Sequence, residues 1–334
     1  MVYNKYIGII GGTGTIGSII VKYLLQLQTH FHVLIGGRRS IKEISMSTFY
    51  NSERLKYNQM NYNNDVELDN FCSQCLLVIN AVGPSFKIND KIALHALRNN
   101  CHYIDIGGYG ILRDLLKPYE KSIEAQKLCF IIGVGWMPGI SGVFSKTIIE
   151  THLNSPENTN FNIYYGAVDN WSYSSTYDLA ASSMGKTRSY VYSHGKEIQV
   201  SPFRYTHHKF FPFIGHKKIC MPSFDEQLTQ LATSLKQIRK ISTFIMLNDY
   251  ISMGKFMFIK IFYKHNLNKA TLMLQDDYQR LVKKENKWGS VICQVSKIEP
   301  ERKIDTFYYL YTKNNLLYTA LPAVITTQYI LEGK

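Results

Sequence analysis

No stretch of this sequence approaches the roughly 18 uninterrupted apolar residues that cross a bilayer, so a spanning helix is not expected. The N-terminus has no basic stretch leading into an apolar core and a small-residue cleavage site, because residues 6–10 already read as a first strand. Together these absences predict a soluble, cytoplasmic protein with no membrane partner. Cysteine is sparse: Cys72, Cys75, Cys101, Cys129, Cys220 and Cys293 are scattered over 334 residues, which argues against a disulfide framework and for a reducing compartment. Cys72 and Cys75 form one CxxC without a second pair or a nearby histidine, so no metal site is expected, and the pair reads as a helix end just before a strand. Acidic residues are the minority charge, 25 against 38 basic ones. The basic excess is scattered in short groups such as Lys217 and Lys218, or Arg239 and Lys240, and never builds a basic helix with interleaved aromatics. Nucleic acid is therefore not an expected partner. Low-complexity tracts and internal repeats are missing too, and with 45% hydrophobic residues the chain has ample material for a packed core.

What is present begins with alternation. Residues 6–10 form an apolar run, and Ile16, Ile19, Ile20, Tyr23, Leu24 and Leu27 follow at spacings of three and four, the mark of an amphipathic helix. Further strands are expected at 31–35, 55–61, 76–80, 103–106 and 129–134. Helices are expected at 90–99, capped by Asn89, and at 119–127. From about residue 161 the character changes to aromatic-rich, strand-like segments at 161–168, 190–192, 198–200, 256–263 and 308–311, and a closing helix is expected at 321–331. The pattern predicts an α/β chain, with an N-terminal Rossmann-type doubly wound parallel sheet and a C-terminal α+β domain on a largely antiparallel sheet.

The first strand runs straight into Gly12-Thr13-Gly14-Thr15-Ile16-Gly17, a G-x-G-x-x-G that opens the amphipathic helix. In that context the glycines allow a tight turn, close approach of backbone to a pyrophosphate, and close helix–strand packing, while the helix N-terminus offers N–H groups to the phosphates. A ribose 2′-hydroxyl is usually read by a carboxylate about 20 residues further on. This chain has Arg38, Arg39 and Ser40 there, two guanidinium groups and a hydroxyl suited to a 2′-phosphate, so the expected cofactor is NADPH.

Four blocks in order, the glycine turn at 11–17, residues 77–84 (LVINAVGP), residues 102–108 (HYIDIGG) and residues 135–142 (GWMPGISG), resemble the saccharopine dehydrogenase-like family of NAD(P)H-dependent oxidoreductases. The resemblance is good over residues 5 to 150 and weak beyond. It implies that the last helix returns to the nucleotide domain, giving a Rossmann domain of 1–135 and 318–334 and a substrate-binding, dimerising domain of 136–317. It also implies a homodimer through the sheet of the second domain, and reduction of an imine to an amine. Reduction of the C=C bond of a carrier-bound or lipid-like enoyl substrate, or NADPH binding without turnover in a redox sensor, are the alternatives that the sequence leaves open.

In an open parallel sheet the ligand lies outside the carboxyl ends of the strands. Asn80, Ala81, Val82, Gly83 and Pro84 are accordingly expected to line the nicotinamide and its ribose. Strand alternation puts Tyr103 and Asp105 on one face at a strand end, placing them to relay the proton that accompanies hydride transfer, although Asp105 is equally suited to capping the Gly107-Gly108 turn. Trp136 is a candidate wall of the substrate cleft, with Asp169, Trp171 and Tyr173 facing it from the second domain. Lys186 and Arg188 are candidate anchors for a substrate carboxylate, competing with simple surface solvation. Tyr192 and Lys196 match a Tyr-x-x-x-Lys dyad, but Gly195 between strand-like runs predicts a hairpin instead, and His207 and His208 lack partners at metal-ligand spacing.

Overall fold

A computed structural model describes residues 5–27, 31–40, 52–108, 110–152, 156–184, 189–223, 226–263 and 265–333. The chain divides into two compact units, Met1–Ile140 with Leu316–Lys334, and Ser141–Asn315.

The first unit runs β1 (Tyr6–Ile10), α1 (Thr15–Gln26), β2 (Val33–Gly37), β3 (Leu55–Gln59), α2 (Asp65–Ser73), β4 (Cys75–Asn80), α3 (Ser85–Ile88), α4 (Lys91–Arg98), β5 (His102–Asp105), α5 (Gly110–Leu116), α6 (Glu120–Ala125) and β6 (Phe130–Ile132). All six strands are parallel, in the order β3-β2-β1-β4-β5-β6, so the topological switch point falls between β1 and β4. The central strands read as nearly unbroken apolar runs because both of their faces are covered. On one face Ile7, Ile9, Leu77, Ile79 and Ile104 pack with Ile20 and Leu24 of α1 and with Ala320, Ala323 and Val324 near the C-terminus. On the other, Ile10, Val78 and Tyr103 meet Phe71 of α2 and Ile92 and Ala96 of α4. The CxxC lies where a helix was expected to give way to a strand, with Cys72 in α2 and Cys75 opening β4. The expected cap of α4 is corrected: Asn89 instead closes α3 at φ 52°, and Asp90 stands at the N-cap of α4 without a side-chain capping bond.

The second unit follows with α7 (Ile140–His152), β7 (Thr159–Val168), α8 (Tyr173–Met184), β8 (Ser189–Ser193), β9 (Lys196–Val200), α9 (Pro202–Tyr205), β10 (His207–Phe211), β11 (His216–Pro222), α10 (Glu226–Ser234), β12 (Lys240–Leu247), α11 (Tyr250–Phe262), α12 (Leu267–Lys284), β13 (Trp288–Ile298) and β14 (Lys303–Thr312). The last helix, α13 (Asn315–Leu331), carries the chain back to the first unit. The second sheet is mixed: β7 and β12 are parallel, and the remaining pairs of the order β10-β11-β12-β7-β13-β14 are antiparallel, with β8 and β9 branching from β12.

One expected strand is overturned. Of residues 256–263, all but the C-cap Tyr263 belong to helix α11, and none to a strand. Asp249 caps the helix by accepting from the Ser252 N–H at 2.9 Å, and the buried positions Ser252, Phe256 and Ile259 follow helical spacing. Of the aromatic and branched residues that suggested a strand, Phe258, Ile261 and Phe262 are exposed while Phe256 and Ile259 are buried.

Candidate functional site

The glycine turn leaves β1 at the switch point. Gly11 takes φ +85°, a conformation that glycine adopts without strain, and its N–H bonds to the Gly36 carbonyl at 2.9 Å, tying the end of β1 to that of β2. Gly14 is the N-cap of α1 and carries no side chain to occupy the helix end. The Ser18 N–H bonds to the Gly14 carbonyl at 2.9 Å, so the N–H groups of Thr15, Ile16 and Gly17 precede the first intrahelical donor. The first turn holds no acidic residue. A Cβ at Gly17 would be driven into the Gly11 carbonyl, so only glycine lets the helix start this close to the strand. These features fit a pyrophosphate: unpaired donors, the positive end of a helix dipole, and no competing carboxylate.

The end of β2 lies beside this turn, since a Cβ on Gly37 would sit 3.5 Å from the Thr13 hydroxyl oxygen. Arg38 and Arg39 follow, both exposed. Among the described residues no carboxylate pairs with either guanidinium. Their backbone is held from β3: the Tyr57 hydroxyl donates to the Gly37 carbonyl at 3.0 Å and also reaches that of Arg39, while the Gln59 amide donates to the Arg38 carbonyl at 3.4 Å. The two cations thus extend from a pinned loop. Tyr57 and Gln59 are site residues that sequence reasoning missed, because they sit on an edge strand in an Asn-rich tract that matches no motif.

Beyond β4, the Ala81 N–H bonds to the Ile10 carbonyl at 2.9 Å, which fixes residues 80–84 beside the glycine turn. The Gly83–Pro84 peptide is cis. Asn80 is buried; its amide donates to Asp105 Oδ2 at 2.8 Å and its carbonyl accepts the Val82 N–H at 3.0 Å. Tyr103 and Asp105 do share a face, and the Tyr103 hydroxyl donates to the same carboxylate oxygen at 2.6 Å. Asp105 also accepts backbone bonds from Gly107 and Gly108, so the turn-capping alternative is realised. Burial raises the Asp105 carboxyl above its ordinary value, opposed by the donors Tyr103 and Asn80 and by those two N–H groups. Burial likewise pushes the Tyr103 phenol well up, with the neighbouring Asp105 charge adding to it. Tyr103 has no exposed surface, whereas Asp105 borders a small pocket with Asn80, Ser85, Phe86, Asn89, Gly108, Ile111 and Leu112. Asp105 is the only ionisable group in that lining.

Residues 7–129 match the family described as the saccharopine dehydrogenase NADP binding domain. The matched residues, 123 of the chain's 334, all lie in the first unit. No curated protein matches the chain by sequence. Among solved structures, the apo L-glutamate-forming saccharopine dehydrogenase of Saccharomyces cerevisiae is similar over 98% of this chain and 92% of its own, at 14% identity and a TM-score of 0.65. The two chains therefore share a fold. Diaminopimelate (DAP) dehydrogenase of C. glutamicum in complex with DAP, at 10% identity, 96% and 86% coverage and a TM-score of 0.47, is too distant to carry an argument. The same holds for an engineered D-amino acid dehydrogenase bound to NADP+, at 10% identity, 99% and 91% coverage and a TM-score of 0.47.

Within the first unit, Trp136 follows β6 in a closed turn. The Gly135 N–H bonds to the Pro138 carbonyl at 3.1 Å, and the half-buried indole packs edge-on against Tyr318 at 6.0 Å. Trp171 belongs to the second unit, where it stacks on Tyr278 at 4.7 Å. Asp169, also there, pairs with Lys287 at 2.9 Å and accepts from Asn315 at 3.1 Å. Tyr192 and Lys196 flank the β8–β9 hairpin, in which His194 and Gly195 both take positive φ, so they do not share a helical face. Lys186 and Arg188 lie outside the described residues.

Proposed function

We propose that the chain is an NADPH-dependent oxidoreductase that reduces an imine to an amine. The observation that carries this reading is the pairing of an uncapped, glycine-lined helix N-terminus with two exposed arginines at the end of β2, inside a domain of the saccharopine dehydrogenase NADP-binding type. When bound, NADPH supplies a hydride. Gly12, Thr13, Gly14, Thr15, Ile16 and Gly17 hold its pyrophosphate, Arg38, Arg39 and Ser40 hold the 2′-phosphate, and residues 80–84 back the nicotinamide end. Asp105 handles the proton at its carboxyl, kept protonated to higher pH by burial. Tyr103 acts through Asp105 as a positioning residue. Trp136 and Trp171 serve the substrate side, and a cytoplasmic homodimer is part of the same reading.

The test mixes the purified protein with NADPH and a panel of imines and enoyl compounds while following absorbance of the reduced nicotinamide. Oxidation that requires the imines supports the reading; oxidation only with enoyl compounds moves it to C=C reduction. Tight NADPH binding without turnover on any member would replace it with a sensor.

A further inference from the structure

The small pocket beside Asp105 lies outside the carboxyl ends of β4 and β5, which contribute Asn80 and Asp105, and Phe86 of α3 with Ile111 and Leu112 of α5 give it apolar walls. Its charge is one-sided. Asp105 is 2% exposed, Ser85 and Asn89 add only uncharged groups, and no lysine, arginine or histidine lines the pocket among the described residues. The donors nearest the carboxyl are already committed to it: the Asn80 amide, the Tyr103 hydroxyl and the N–H groups of Gly107 and Gly108 are all directed at Asp105. A Cβ on Gly107 would collide with the Ser85 hydroxyl oxygen, so α3 packs against bare backbone at this turn. The pocket thus offers a carboxyl and apolar surface, while the donors that an anion would need are spent on Asp105.

In imine reduction the C=N carbon takes the hydride that NADPH supplies and the nitrogen takes the proton of the Asp105 carboxyl. The π bond is replaced by a C–H and an N–H bond, NADPH becomes NADP+, and Asp105 is left charged. Proton transfer needs the nitrogen within about 2.6–3.2 Å of the carboxyl oxygen. Asp105 borders this pocket and has little other surface, so the nitrogen and the first atoms it carries must occupy the pocket. A carboxylate carried on that nitrogen would face the charge appearing on Asp105, with no cation in the lining to offset it. The repulsion grows as the proton leaves, so it weighs on the transition state more than on substrate binding.

Resting on the imine reduction proposed above, we infer that the substrate is an imine whose nitrogen carries an uncharged, apolar group, and that a carboxylate borne on the nitrogen is rejected. Phe86, Ile111 and Leu112 receive the apolar group. Ile111, in the first turn of α5, both lines the pocket and is 46% exposed, so it stands at the rim. It is the position at which charge preference is set: a cation there would supply the partner that the native lining lacks.

Imines formed from one aldehyde with isobutylamine and with glycine test the inference, because the two nitrogen substituents share a shape and differ by one charge. With the full-length protein and NADPH, kcat/KM for the isobutyl imine should exceed that for the carboxymethyl imine by about 100-fold or more. Calorimetric titration with the two product amines, in the absence of cofactor, should give the same order of affinity. Ile111→Lys, with its circular dichroism spectrum unchanged, should move the kcat/KM ratio at least tenfold toward the carboxymethyl imine. Should that variant not fold, the order of the two amines in calorimetry with the wild type decides. Equal or faster reduction of the carboxymethyl imine, tighter binding of its product amine, or a ratio unaltered in the folded variant overturns the inference and leaves imine reduction standing. Oxidation of NADPH with no imine at all, despite nucleotide binding, overturns imine reduction itself and this inference with it.

Discussion

In the proposed function cofactor choice turns on Arg38 and Arg39, because each is a fixed charge on a loop whose carbonyls are tied down by Tyr57 and Gln59. Replacing both by Ala should weaken NADPH binding by about 1.5–3 kcal/mol, roughly 10- to 150-fold, while NADH affinity changes less than twofold in a fluorescence titration. Tyr57→Phe should produce a smaller loss in the same direction, since it frees the loop without removing a cation. Tyr103 is testable through the group it serves. Its hydroxyl stabilises the charged form of Asp105, so Tyr103→Phe should raise the Asp105 pKa further and move the alkaline limb of the kcat profile upward, whereas a purely structural role would lower activity at every pH alike. The thiols give an independent check on packing. Burial pushes Cys101 up to about 11 and Cys220 and Cys293 up to about 12, and raises Cys72 and Cys75 beyond these; Cys129 alone is half-buried. A colorimetric thiol reagent at neutral pH should therefore modify one cysteine of the native protein readily and the other five only on unfolding.

At the scale of elements, the α11–α12 pair depends on Asp249. It caps α11 and forms a two-pronged pair with Arg280, at 2.6 and 2.9 Å. Asp249→Ala should cost about 2–3 kcal/mol, about one from the cap and the rest from the charge-assisted pair. The hydrogen bonds from Arg280 hold the Asp249 carboxyl far below its ordinary value of 3.8. Its contribution is therefore complete above that value and declines as pH falls beneath it. Thermal melts should accordingly show acidification to about pH 3 destabilising the wild type more than Asp249→Asn. The same segment shows where sequence reading stops. In the first unit the central strands were legible because burial on both faces writes them as apolar runs, and the glycine turn and the arginine pair were legible because their chemistry is local. Tyr57 and Gln59 were not, since they act on residues 18 to 21 positions away. Residues 256–263 read as a strand because apolar side chains occur on both the buried and exposed sides of α11, which hides the helical period. Strand β13 went unread because Ser290, Gln294 and Ser296 are polar yet buried, breaking any apolar pattern.

The molecule as a whole joins a parallel-sheet unit, whose switch point carries the glycine turn, to a unit built on a mixed sheet, a combination shared in fold with a yeast saccharopine dehydrogenase at only 14% identity. A fold retained at that identity constrains core volumes and strand order, while substrate choice depends on side chains that such likeness does not fix. The surplus of 38 basic over 25 acidic residues suits a chain whose proposed cofactor, a dinucleotide with an extra phosphate, is negatively charged. Isothermal titration calorimetry of the full chain with NADPH and with NADH tests the central claim most directly. The account predicts binding of NADPH at least tenfold tighter than that of NADH; absence of heat with both nucleotides, or NADH binding as tightly, would contradict it.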